Sequence, residues 1–414
     1  MPKSSLPLGN LRGVLILLIL AFHSFAAYIV SQPASTAAFD KAPYDWIAFP
    51  IIDSQRWIGF DLFCAFQFLY LMQLMFFLSG LFVWPSLRRR GWKTYLGHRL
   101  WRLGAPFIVG TYALMPLAFY PVYRVTALDP GWSSFWSHWM ALPITPTGPM
   151  WFLWFLILLD LGAALLYRAS PDASRLPAQY LAKAATHPGR LFIALVCVCA
   201  VAYLPLSTIY SPWKWVGWGP FEVQAAFAPQ YAIYFVLGLA VGSYGYDRGL
   251  LDKDGTLVRR WPIWLVGSLA SFFLWVIPTA LIVKEADAPV GALRVIGDLA
   301  LVIFAGAACL SLTALFLRFA TTRWPIIDSI SEYAYGIYFF HYAFVLWLQY
   351  LLLGSSLPAV GKGLIAFAAS FILSWTTAVV VYRLLGGIHL LLGRRVALPG
   401  PTSTVNGEFS ETKP

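Results

Sequence analysis

Apolar residues run almost unbroken for about twenty positions at ten places along the chain, and the polar residues cluster between the runs. The runs fall at about 12–30, 57–84, 104–124, 149–168, 191–210, 225–245, 262–283, 295–317, 333–353 and 362–385. About twenty apolar residues in helical geometry cross the hydrocarbon of a bilayer. The runs do not alternate polar with apolar, which excludes a transmembrane barrel. The pattern therefore predicts an all-α integral membrane protein: a bundle of about ten transmembrane helices in a single domain over 1–395. A polar tail, 396–414, rich in Ser, Thr and Pro, reads as disordered and cytoplasmic. The first run is long and has no convincing cleavage site, so it reads as a retained span.

Composition agrees. Hydrophobic residues make up 59% and charged residues 11% of the chain, where a soluble domain carries about a quarter charged residues. The net charge of +11 suggests nucleic acid at first sight, but its distribution removes that reading. With ten spans and both termini cytoplasmic, 22 of the 29 lysines and arginines fall on one side and 7 on the other. That is the positive-inside bias. It places 85–103 and 246–261 in the cytoplasm, and the tryptophan-rich stretches 125–148 and 211–222 outside. Cys64, Cys197, Cys199 and Cys309 all lie in apolar runs and suggest neither a disulfide framework nor a metal site.

Arg12 and His23 stand eleven positions apart in the first run, with only apolar residues between them. Eleven residues make about three helical turns and about 16 Å, so both share one face. Arg12 is expected near a membrane surface and His23 near mid-bilayer, where a polar side chain is costly and marks function. The spacing suits a long ligand with an anionic head and a buried reactive end. An imidazole can accept a proton or carry an acyl group near neutral pH. Arg99 and Arg102, three apart at a helix start, read as one face with two forked donors suited to phosphate. Asp61, Asp160 and Asp298 lie within spans; one of them could polarise His23, and the sequence does not choose among them.

The order Arg12–x10–His23, Phe76-Phe77-Leu78-Ser79-Gly80, Arg99-Leu100-Trp101-Arg102, Trp151-Phe152-Leu153 and Tyr335-Gly336-Ile337-Tyr338-Phe339-Phe340-His341 resembles the acyltransferase 3 family, whose members are multi-pass membrane enzymes that acylate extracytoplasmic glycans. The resemblance runs from about residue 8 to 350 and implies acyl-CoA as co-substrate, with no permanently bound cofactor and no metal. It implies catalysis by His23 with Arg12, donor binding by Arg99, Arg102, Ser79 and His341, and acceptor contacts from Trp151 and Tyr338. Ser79-Gly80 also has the small-residue character of a close helix contact. The expected partners are acyl-CoA, a glycan or glycolipid acceptor and the lipid bilayer, in a bacterial cytoplasmic membrane. The expected reaction moves an acetyl- or succinyl-type group to a hydroxyl, either by direct attack with His23 as base or through an acyl-histidine. The rival reading is a transporter or flippase using Arg12 and His23 as a polar relay; it would call for inverted repeats, and none is visible.

Overall fold

A computed structural model describes residues 6–391 except 43, 174–178, 180–185, 211–213 and 285–289. The polar tail and Trp213 lie outside the described residues. The long helices are α1 (Leu6–Phe25), α2 (Ile58–Phe68), α3 (Leu71–Leu81), α4 (Val83–Arg90), α5 (Trp92–Arg99), α6 (Ala105–Val109), α7 (Met115–Thr126), α8 (Trp132–Ala141), α9 (Trp151–Ala169), α10 (Pro188–Ile209), α11 (Ala228–Tyr244), α12 (Trp261–Lys284), α13 (Val290–Phe319), α14 (Pro325–Leu352) and α15 (Ala359–Leu391). Eight stretches are long and apolar enough to cross a membrane, with α2–α4 forming one and α5–α7 another. Of the helices outside these eight, α11 and α14 pack among them, α11 against α3 and α14 against α1, α7 and α15, and the shorter α8 packs against α7. The architecture is an all-α membrane bundle.

Several helices start one or two turns before the apolar run begins. Pro325 and Pro188 stand at first-turn positions of α14 and α10, where a missing N–H costs nothing. Span 58–90 is jointed at Tyr70 and Phe82. Span 92–126 contains two π-helical turns, Leu100–Gly104 and Gly110–Leu114. A two-stranded hairpin, β1 (Trp215–Trp218) with β2 (Phe221–Gln224), interrupts the helical pattern. The apolar-run criterion could not register it, because eight residues are too few to show a period.

The helices are joined closely where small residues allow it. A Cβ on Gly238 would lie 2.1 Å from the carbonyl oxygen of Phe77, and one on Gly242 only 1.8 Å from that of Leu81. Here α3 and α11 touch backbone to backbone, and Gly80 lies in the same seam. An aromatic cluster of Phe76, Phe152, Phe155 and Tyr231 fills the centre of the bundle beside this seam.

The end of the bundle opposite the arginine-rich one is closed by the segment after α1. Asp61, in the first turn of α2, accepts the backbone N–H groups of Val30 (2.6 Å) and Ser31 (2.8 Å). Trp46 stacks on Phe39 at 4.4 Å and meets Phe119 of α7 edge-on at 5.3 Å. Asp53 and Lys362 form a fully buried ion pair, with Nζ 3.0 and 2.8 Å from the two carboxylate oxygens. This pair fastens the segment to the first turn of α15.

Removing one partner of such a pair leaves an uncompensated buried charge, at a cost of about 3–5 kcal/mol. Lys362→Ala should therefore lower the unfolding temperature in detergent strongly, and Lys362→Met combined with Asp53→Leu should recover most of the loss. Equal damage from the single and the double variant would show that the pair adds nothing beyond packing.

Candidate active site

His23 lies in the last turn of α1, two residues before its end. Partners come from α14. His341 Nε2 is 3.2 Å from His23 Nδ1, and His341 Nδ1 is 2.5 Å from the carbonyl oxygen of Tyr338. His23 Nδ1 is also 2.9 Å from the carbonyl oxygen of Ile19, one turn back. These contacts assign the protons. His341 donates Nδ1–H to Tyr338, so its Nε2 is an acceptor. His23 then donates Nδ1–H, shared between Ile19 and His341. The lone pair on His23 Nε2 is left out of these bonds, in the orientation a base or nucleophile needs.

Gln349 completes the attachment. It stands two helical turns beyond His341 and donates Nε2–H to the carbonyls of His23 (2.8 Å) and Ser24 (3.1 Å). Both carbonyls belong to the end of α1, where no following turn can satisfy them. Tyr342 meets the His23 ring edge-on at 5.1 Å and Phe22 meets it at 5.3 Å. Gly148, at φ +48°, permits the turn into α9, and a Cβ there would lie 3.1 Å from the Tyr342 ring and 2.7 Å from Met115 Sδ. Sequence reasoning missed Gln349, Tyr342 and Gly148. Gln349 had a signal: an amide in an apolar helix, eight positions after a histidine and hence on its face.

The acids do other work. Asp61 holds the segment after α1. Asp298 accepts from Ser207 Oγ at 2.7 Å. Asp160 is fully buried in α9, accepts from Tyr95 OH at 2.5 Å and pairs with Arg99 Nε at 3.0 Å. The imidazole of His341 takes the place beside His23 that a carboxylate was expected to fill.

This divides Arg99 from Arg102. Arg99 faces inward to Asp160 and to the Tyr95 hydroxyl (3.1 Å). Arg102 lies in the π-helical turn that follows, where each residue advances less around the axis than in an α-turn, and it is exposed. Its neighbours in charge are Arg99, Arg90 and Arg12, and Tyr382 interacts electrostatically with both Arg12 and Arg102. Tyr335 OH donates to the Arg102 carbonyl at 2.8 Å, and Arg12 donates to the Ser331 carbonyl at 3.2 Å. No ion pair neutralises Arg12 or Arg102 among the described residues. The cluster is ready for an anion.

Of the other expected site residues, Ser79 donates to its own helix at the Met75 carbonyl (2.8 Å), beside the Gly80 seam. Tyr338 is buried and donates to the Pro149 carbonyl, holding the turn before α9. Trp151 packs within 5.5 Å of both Trp215 and Tyr231. On the hairpin, Trp215, Gly217, Glu222 and Gln224 share one face. Burial raises the Glu222 carboxyl above the usual carboxylate range. Among the described residues no group of three His, Cys, Asp or Glu could hold a metal ion.

Curated proteins and solved structures offer no match to the chain. The family described as "acyltransferase domain" matches residues 8–382, which takes in both histidines, the arginine cluster and every long helix from α1 to α14. The chain belongs to the acyltransferase 3 family and is a membrane acyltransferase.

Proposed function

We propose that this acyltransferase moves an acyl group from acyl-CoA, taken from the cytoplasm, to a hydroxyl of an extracytoplasmic glycan or glycolipid, in a bacterial inner membrane. The observation that carries the reading is the position of His23 on one helix with Arg12. The uncommitted Nε2 of His23 lies eleven residues, about 16 Å, from the Arg12 guanidinium on the same α1, and Arg102 joins Arg12 from the turn Leu100–Gly104. That suits a donor with phosphates at one end and a thioester at the other.

Arg12 and Arg102 are the phosphate ligands in this reading. Arg99, bound to Asp160, supports the turn that carries Arg102. Two chemical courses fit His23. In direct transfer, Nε2 takes the acceptor's hydroxyl proton as the oxygen attacks the thioester carbonyl. The carbon–sulfur bond breaks, and the leaving thiolate recovers the proton. In the carrier course, Nε2 attacks the carbonyl and expels the thiolate. The acceptor oxygen then attacks the acyl-imidazole, the carbon–nitrogen bond breaks, and the hydroxyl proton passes by way of the freed Nε2 to neutralise the thiolate. Positive charge grows on the imidazole in both, and His341 stabilises it by accepting the Nδ1–H. Trp151 and Trp215 offer flat apolar faces of the kind sugars stack on.

His23→Ala should leave membrane insertion unchanged and reduce acyl transfer by about 10²–10⁴-fold; near-normal turnover would remove the catalytic role. His341→Leu should lower kcat by a smaller factor, and His341→Gln, which keeps an acceptor within reach, should restore part of it. If both variants were equally impaired, His341 would be packing only.

Arg102→Ala should raise the KM for the acyl donor roughly tenfold or more, the loss expected for a charge-assisted contact, with Arg102→Lys intermediate because it lacks the fork. An unchanged KM would return Arg102 to a topological anchor. Gly148→Ala, which must push on Tyr342 beside His23, should lower kcat by up to about 10²-fold through misplacement while the protein still inserts. Full activity in that variant would mean that the Tyr342 wall does not position the imidazole.

A further inference from the structure

The cations on the glycan-facing side differ in how they are used. Arg56 donates to four carbonyls, those of Asp53 (3.2 Å), Gln32 (3.1 Å), Pro33 (2.7 Å) and Ala34 (3.3 Å). Lys362 is paired with Asp53, and Arg294 donates to the Ser207 carbonyl near Asp298. Arg124 is exposed in the last turn of α7 and has neither a hydrogen bond nor an ion pair among the described residues. Two aromatic rings flank its guanidinium instead, Tyr120 at 5.8 Å and Tyr350 at 5.6 Å.

Neighbouring contacts hold this surround in place. Tyr120 OH donates to the Pro130 carbonyl at 2.8 Å and Trp347 Nε1 to the Leu117 carbonyl at 2.9 Å. Trp132 meets Tyr120 edge-on at 4.6 Å, and Trp347 lies 6.0 Å from it. Rings with polar tips at helix ends mark the headgroup level of a bilayer. Below Arg124 toward the middle of the span, Leu117, Ala113 and Val109 are exposed, and Leu351 is exposed beside Tyr350. A cation with five free N–H donors, fixed between rings above an apolar strip, matches an amphiphile with a phosphate head.

We propose that Arg124, with Tyr120, Tyr350 and Trp347, binds the phosphate of a lipid in the outer leaflet, whose chain lies along Leu117 and Val109. The site stands beside the reaction centre. Phe119, the residue before Tyr120, lies 5.8 Å from Tyr342, which meets His23 at 5.1 Å. One helix thus separates the two, and a glycan carried on a lipid phosphate at Arg124 would be tethered next to the helices that hold His23. That last use rests on the acyl-transfer reading and on the sidedness set by the charge bias; the lipid site itself is tested by binding alone.

The experiment is titration of the full-length protein in detergent with phosphatidic acid, followed by native mass spectrometry, with diacylglycerol as the phosphate-free control. Wild type should retain phosphatidic acid in preference to diacylglycerol. Arg124→Gln should weaken retention about tenfold, the scale of a lost charge-assisted hydrogen bond, and Tyr350→Leu should weaken it without any change of charge. Lys214→Gln, on the same side, should leave it unchanged, and the unfolding temperature of lipid-free Arg124→Gln should equal that of wild type. Equal retention of both lipids, or wild-type affinity in Arg124→Gln, would overturn the proposal. Competition by millimolar inorganic phosphate would also overturn it, by making the ligand a free anion. Because no acyl donor is present, loss of activity in His23 variants bears on the transfer reading and leaves this result untouched.

Discussion

A polar ring among apolar helices has to find its hydrogen-bond partners inside the protein, because the surrounding hydrocarbon supplies none. For His23 that partner is a second imidazole, and the need to hold the pair explains much of the packing around it. His341 is oriented by its own bond to the Tyr338 carbonyl, and Gln349 closes the free carbonyls at the end of α1. Together these fix α1 against α14 at three depths: Ser331 at one end, His341 within, and Gln349 beyond. An imidazole held this way is fixed in orientation before any substrate arrives.

Charge within the bundle follows the same rule with different outcomes. Asp160 and Arg99 neutralise each other, with Tyr95 supplying the remaining bond. Asp53 and Lys362 do so at the opposite end. Arg12 and Arg102 are left near one another without an acid among the described residues, so their like charges repel. Whether a charged side chain is structural or available therefore depends on which neighbour its helix presents. Arg99 and Arg102 are three residues apart and fall on opposite sides of that division.

Much of the fold was legible in the chain. The ten apolar runs match the long helices to within a few residues at most ends, because the length and polarity of a span are dictated by the bilayer and can be read from one strand of sequence. The early starts of α13 and α14, the joints at Tyr70 and Phe82, the π-helical turns and the β-hairpin were not legible.

For the site, the sequence by itself determined which polar residues enter the apolar spans and that Arg12 and His23 share a face, since both follow from composition and helical period. It also carried the ordered motifs that identify the family. The tertiary structure decided the pairings: a histidine beside His23 in place of an acid, Asp160 claimed by Arg99, Arg102 left without an acid among the described residues, and Gln349, 326 positions away, closing the carbonyl of His23. Periodicity reports the direction in which a side chain leaves its own helix axis. The group it meets is set by the packing of other helices, and that information is spread over hundreds of intervening residues.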